Sequence, residues 1–371
     1  MFKIVFLMGL FAFYSHAESV ESLEERIEKL EDKVNAPQLR SNLFNPGMTV
    51  FGNSFVCGGK GCERPFTLRE IELDLRASID PWADGVVILA FEPHGEHAAV
   101  EIEEGYVVLK KLPILDDAPL GLTLKIGHYL QPFGRFNQIH THDLPQINQP
   151  AAVKAFLYGD GHAHTFGRTG ISAEFFIPTP GETNSLRLNL NLINGGGLGF
   201  EQIQKSQIPA GLAHMTWFWD LALEHDLEVG LSTYLENNPG KALLQLYGTD
   251  INYKWRPYKQ GEKKSLLIGG EFFVANGKKG NAGYWPLGGF VWTHYQINQW
   301  FYPGLRYSYY QGVGKQDNPN HSIGAFLTYY TTEFLRLRAG YEWDNYNQNK
   351  VLLEINFVMG SHPVEPYWVN R

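Results

Sequence analysis

Histidine occurs in three close pairs, His94/His97, His140/His142 and His162/His164. A separation of two puts side chains on the same side of an extended chain. His140/His142 and His162/His164 could therefore each offer two imidazoles to one ion, with Asp143 adding an oxygen. Neutral imidazole suits zinc, copper or nickel, so a transient contact with zinc or another transition metal is one expectation. The plainer reading of each pair is solvated loop histidine. Carboxylates recur at the same period. Glu70, Glu72 and Asp74 alternate with Ile71 and Leu73, Glu101 and Glu103 flank Ile102, and Glu174 belongs to a similar stretch. Arg76, Lys125 and Arg187 fall on the same side, while Arg135, Lys154 and Arg168 stand in or beside one long connection. Rings of carboxylates in a pore favour cations. The acidic set thus predicts a cation-preferring constriction, on which the three basic residues superimpose a local anion step. The only cysteines, Cys57 and Cys62, enclose Gly-Gly-Lys-Gly. That turn can join the sulfurs, and a disulfide pinning a surface loop is expected. A metal site there would leave half of a tetrahedral shell empty. No Gly-x-Ser-x-Gly, His-Glu-x-x-His or phosphate-binding loop occurs, so no enzyme and no resident cofactor are expected.

The elements that hold these residues have period two. Ile71, Leu73, Leu75, Ala77 and Ile79 alternate with Glu70, Glu72, Asp74, Arg76 and Ser78, and four leucines between Leu186 and Leu192 alternate with Arg187, Asn189 and Asn191. Sixteen such segments are predicted, at 48–55, 67–80, 85–92, 99–110, 121–129, 168–177, 185–193, 213–224, 226–236, 241–255, 265–275, 284–297, 299–310, 322–331, 334–343 and 350–359. Many reach the ~9–11 residues that a tilted membrane strand needs. Connections after odd segments are mostly long and polar, and those after even segments mostly short, as in outer-membrane barrels. Aromatic residues gather near segment ends, for example Tyr253/Trp255/Tyr258 and Trp300/Phe301/Tyr302. Such girdles suit the headgroup level. The fold class expected is all-β, a transmembrane antiparallel barrel of about sixteen strands.

Composition agrees. Aromatic residues make up 14% of the 371 residues, charged residues only 19%, and the mean hydropathy is −0.25. Beyond residue 17 no apolar run approaches the ~20 residues of a membrane helix. A net charge of −8 disfavours a nucleic-acid partner. Residues 1–17 have a basic start, an apolar stretch and Ser15-His16-Ala17, the pattern of a cleaved secretory signal. Over residues 18–36, Val20, Leu23, Ile27, Leu30 and Val34 repeat at 3, 4, 3, 4. That is a coiled-coil seam too short to stand alone. It would need an oligomer formed elsewhere in the chain, and the alternative is a lone amphipathic helix. A linker at 37–47, a barrel at 48–359 and a tail at 360–371 complete the expected organisation.

The 38 residues between Tyr129 and Arg168 form the longest connection. Loops past ~15 residues are uncommon without a role. This one is too apolar, with Phe133, Phe136, Ile139, Leu144, Ile147, Phe156 and Leu157, to hang in water. Folding into the lumen to narrow a pore is one expectation, and a lid across the outer mouth is the other.

This order of features resembles sixteen-stranded bacterial porins with a periplasmic coiled-coil lead. The chain also resembles a family of outer-membrane proteins labelled zinc-regulated. The shared stretches are Phe44-Asn45-Pro46, Glu101-Ile102-Glu103-Glu104-Gly105-Tyr106, Lys125-Ile126-Gly127-His128, Phe133-Gly134-Arg135-Phe136-Asn137, His140-Thr141-His142-Asp143 and Gly360-Ser361-His362-Pro363. The resemblance implies a channel in the Gram-negative outer membrane, a homotrimer surrounded by outer-membrane lipid, passing small polar solutes or metal complexes. Members of that family are often called TonB-dependent, but such receptors need ~22 strands and a plug, for which this chain is too short. A TonB-independent siderophore or metal-complex channel is the compatible alternative, and an outer-membrane enzyme a second one. Barrels of this type commonly end in an aromatic residue. Here Phe357 stands before the tail that runs to Arg371.

Overall fold

A computed structural model describes residues 46–360 except 95–96, 113–118, 159–165, 182, 197, 200–206, 238–242, 260, 262, 277–284, 314–317 and 347. Contacts divide the chain after Pro46. The signal, the heptad segment, nearly all of the linker and the tail beyond Gly360 therefore lie outside the described residues.

Alternation of apolar and polar side chains suits a sheet with lipid on one face and protein or water on the other, and that is what forms. The sixteen strands are β1 (Gly47–Gly58), β2 (Phe66–Asp80), β3 (Ala83–His94), β4 (His97–Leu109), β5 (Thr123–Leu130), β6 (Gly167–Ile177), β7 (Asn184–Ile193), β8 (Ala210–Ala222), β9 (His225–Glu236), β10 (Leu244–Trp255), β11 (Ser265–Asn276), β12 (Leu287–Gln296), β13 (Phe301–Gln311), β14 (Asn320–Thr332), β15 (Leu335–Asp344) and β16 (Asn349–Gly360). Each pairs with its sequence neighbours, and β1 pairs with β16, closing the barrel. Closure leaves no free edge, which a hydrocarbon environment requires.

Two connections depart from the expected pattern. β3 and β4 extend to within two residues of each other, so His94 and His97 are register partners at the hairpin end instead of loop residues. The connection between β4 and β5 is long although it belongs to the short-turn rim, and it includes a single 3₁₀ turn at Pro119–Gly121.

Outward side chains are apolar and exposed, as with Leu305, Val351, Leu353 and Ile355. Trp82, Tyr258, Trp300 and Phe334 ring the short-turn rim, and Phe66, Trp285 and Trp343 the other. The packed core lies inside the barrel, not in a pore of water. Phe273, Phe290 and Trp292 reach inward and meet Phe133, Phe136 and Phe156 of the long connection, with ring centroids 5.1 Å apart for Phe136–Phe290 and 5.5 Å for Phe156–Phe273. That connection carries short 3₁₀ turns at Phe136–Gln138 and Thr141–Asp143 and the helix α1 (Ala151–Leu157), whose Ala152, Val153, Phe156 and Leu157 are buried. The loop's greasy content therefore finds its partners in the lumen, and the lid across the mouth is not what forms.

Candidate functional site

The loop is held by polar anchors all round the lumen. Gly134 has φ of 64°, a backbone conformation that favours glycine, and a side chain here would strike the Glu271 carboxylate. The turn it permits aims two successive amides at one acceptor. Arg135 and Phe136 N–H donate to Glu271 Oε1 at 2.9 and 2.6 Å, and Gly134 N–H donates to Ser232 Oγ at 2.9 Å. Glu271→Leu removes the acceptor of both bonds. We expect the change to cost about 1–3 kcal/mol, the range for leaving a buried donor unsatisfied, and to speed amide hydrogen exchange of residues 133–138.

Further round the barrel the anchors are guanidinium groups. Arg69 of β2 donates to Ile147 O at 2.7 Å and to Asn148 Oδ1 at 3.0 Å. Arg336 and Arg338 of β15 donate to the carbonyls of His142 and Leu144, and Asn356 of β16 adds a bond to His142 O at 2.9 Å. Arg306 of β13 donates to Asn148 O and pairs with Glu342. Arg306, Arg336 and Arg338 thus make a basic stretch on β13 and β15, and Arg69 adds a fourth arginine on β2.

The wall on β2 and β4, across the β1–β16 seam from β15, is acidic. Glu70, Glu72 and Asp74 of β2 all point inward and are buried, and Asp74 pairs with Arg76 at 2.8 Å. In β4 the register slips between the pairs Ile88–Glu104 and Leu89–Ile102, so Glu103 is the extra residue of a bulge. The kink lets Glu103 and Glu104 both reach His140, with Nδ1 3.2 Å from Glu103 Oε2 and Nε2 3.3 Å from Glu104 Oε2. His142 Nδ1 lies 3.1 Å from Glu72 Oε2, and its Nε2 lies 3.5 Å from Asp143 Oδ2. Burial draws the His140 pKa down, but Glu72, Glu103 and Glu104 more than reverse this and leave it well above the usual imidazole range. His142 is raised in the same way, against burial, by Glu72 and Asp143. The His142 ring also stacks on Phe51 of β1, centroids 3.6 Å apart.

The remaining residues singled out by sequence lie elsewhere. Glu101 is half-buried on β4. Arg135 pairs with Glu228 at 2.6 Å. Arg168 of β6 donates to the carbonyls of Gly167 and Gly196 and lies over the Phe166 ring, so it is a wall residue apart from the acidic cluster. Cys57 and Cys62 are joined by a disulfide. His162 and His164 lie outside the described residues, as do the side chains of His94 and His97. His140 and His142 are not solvated loop residues; they sit at the centre of the acidic wall. Arg69, Arg306, Arg336, Arg338 and Glu104 were not among the sequence candidates. The alternation of Arg336 and Arg338 with Leu335 and Leu337 was the available signal for two of them.

Cavities remain on both sides of the loop. One of about 910 Å³ opens between the loop and the long-connection rim, bordered by Arg69, Glu70, Lys154, Arg306 and Glu342. Another of about 220 Å³ lies toward the short-turn rim, bordered by Arg135, Glu228, Lys254 and Glu271. Lys154 is open to the water of the larger cavity yet enclosed by the barrel. Desolvation pushes its pKa down to about 8, opposed by Glu342 and aided by Arg69, Lys350 and Arg306. The amine is charged below that pH and neutral above it. The anion share of any ionic current should therefore fall as pH rises through about 8. Reversal potentials measured on either side of that pH should show the fall, and Lys154→Arg should lack it.

Solved structures share this architecture. The outer membrane channel DcaP of Acinetobacter baumannii is similar over 85% of this chain and 96% of its own, with 11% identity and a TM-score of 0.55. An anion-selective porin from Comamonas acidovorans covers 85% and 98% with 8% identity and a TM-score of 0.54. OprB of Pseudomonas putida covers 88% and 97% with 13% identity and a TM-score of 0.55. The fold is that of the outer-membrane porins. With its lipid-facing apolar belt, the barrel belongs in the Gram-negative outer membrane. No family model matches the chain. An uncharacterized protein of Aquifex aeolicus (strain VF5) is 31% identical over 118 residues, 32% of this chain, and the match spans only 22% of that relative's length.

Proposed function

We propose that the protein is a passive outer-membrane channel for small polar or charged solutes, constricted by the 131–166 loop. What carries this is the loop's position in the lumen against an acidic stretch on β2 and β4 and a basic stretch on β13 and β15. A solute passing such a constriction meets fixed charges of both signs, which favours compact charged or zwitterionic species over neutral ones. Metal species belong among the candidate solutes, supported by the imidazoles of the acidic wall and by the motifs shared with the zinc-regulated outer-membrane proteins. Assembly as a homotrimer is part of the proposal, supported by the heptad pattern over 18–36; chemical crosslinking of the detergent-solubilised chain tests it.

The packed lumen favours a second reading, a siderophore or metal-complex channel whose loop is shut at rest. Planar-bilayer recording in salt gradients separates the two. The open porin gives small, stable steps whose reversal potential reports the ion preference. A shut channel gives silent traces until its ligand is added.

A further inference from the structure

The acidic wall gathers more carboxylates than it has protein cations to pair with. Two imidazoles meet Glu70, Glu72, Glu103, Glu104 and Asp143. The neighbouring cations are engaged elsewhere: Arg76 with Asp74, Arg69 with the loop at Ile147 and Asn148, and Lys125 over the Tyr106 and Tyr129 rings. Glu70 and Glu72 are 2% and 0% exposed, and Oε1 of each has no hydrogen-bond partner among the described residues. Buried carboxylate oxygens without donors are costly, and either a proton or a bound cation relieves the cost. The donor atoms already converge. One from each of Glu70, Glu72 and His142 lie within 4.8 Å of one another, and so do one from each of Glu72, Glu103 and His140.

We propose that the two triads Glu70/Glu72/His142 and Glu72/Glu103/His140, which share Glu72, form a site for a divalent transition-metal ion, and that a bound ion fastens the lumenal loop to the β2–β4 wall. Mixed imidazole and carboxylate donors suit zinc and its neighbours better than calcium, which takes oxygen alone. The histidines come from the loop and the glutamates from the strands, so the ion is a crosslink between the loop and the barrel wall. Binding displaces protons from the imidazoles, because a ligating nitrogen must be unprotonated. The site needs only the loop's lumenal position. It stands whether or not the barrel conducts.

The test uses the full chain refolded in detergent, stripped with a chelator and titrated with Zn²⁺ alone, then with Co²⁺ as a spectroscopic stand-in. The wild type should bind Zn²⁺ with proton release, give a visible Co²⁺ absorption band, and show slower amide exchange over residues 138–146 once loaded. H140A/H142A should lose the band and weaken Zn²⁺ binding roughly hundredfold, and the near-isosteric E72Q should weaken it at least roughly tenfold. H162A/H164A should bind as the wild type does. Heat-modifiable gel mobility confirms that each variant has a closed barrel. No Zn²⁺ binding by the wild type, or unchanged binding in a correctly folded H140A/H142A, overturns the site. Loss of binding in H162A/H164A with retention in H140A/H142A overturns it as well.

Discussion

Replacing residues 132–165 by a short Gly-Ser linker should raise single-channel conductance several-fold. The segment brings Phe133, Phe136, Leu144, Ile147, Val153, Phe156 and Leu157 into the lumen, all nearly inaccessible to solvent. Its removal frees the volume between the charged walls, and conductance rises with open cross-section. The same change should lower barrel stability. Each large apolar side chain taken from burial gives up about 1.5–3 kcal/mol, and Phe273, Phe290 and Trp292 lose their partners across the lumen. Bilayer recording checks the first effect, and the temperature at which the folded gel band converts to the unfolded one checks the second. Equal conductance in the wild type and the loopless variant would mean that the loop does not limit the current.

The second large effect concerns Arg338. Its guanidinium pairs with Glu354 where both side chains are fully buried, and it also donates to Leu144 O of the loop. Removing one partner of a buried pair costs about 3–5 kcal/mol, because a charge stays behind without compensation. Arg69, 3.6 Å from Glu354, and Asn53, which donates to it at 2.8 Å, soften the loss. Arg338→Met should therefore destabilise the barrel by about 3 kcal/mol, the low end of that range. Pairing it with Glu354→Gln should restore most of the stability, since the stranded charge is gone. A double mutant as unstable as the single one would place the cost in the lost Leu144 contact instead. Chemical unfolding in detergent reads both variants.

The barrel was legible in the sequence because one physical rule, lipid outside and polar or packed groups inside, acts on every strand. Glu70, Glu72 and Asp74 follow from that rule alone. Glu104 does not: strict alternation turns it away from the lumen, and only the bulge at Glu103 re-aims it. His140 and His142 were recognisable as a pair. Their carboxylate partners come from segments some 40–70 residues away, and no local pattern encodes that meeting. The apolar content of the long connection showed that it must be covered, but the same content would serve a lid or a lumenal loop. Its destination is decided by Gly134, Glu271, Ser232 and the arginines of β15, which are spread over the chain. Arg168, expected beside the others, faces a different part of the wall because β6 stands several strands from β15 in the barrel order.

The grip on His142 bears on how the cylinder is completed. Its ring rests on Phe51 of the first strand, while its carbonyl is taken by Asn356 of the last and Arg336 of the one before. The first and last strands join only after some three hundred residues have been laid down, the most distant pairing in the chain and the slowest to find by chance. A segment from the middle that touches both sides of this seam can act as a template, and we expect it, once docked, to hold the two ends within reach of each other so that they zip together last.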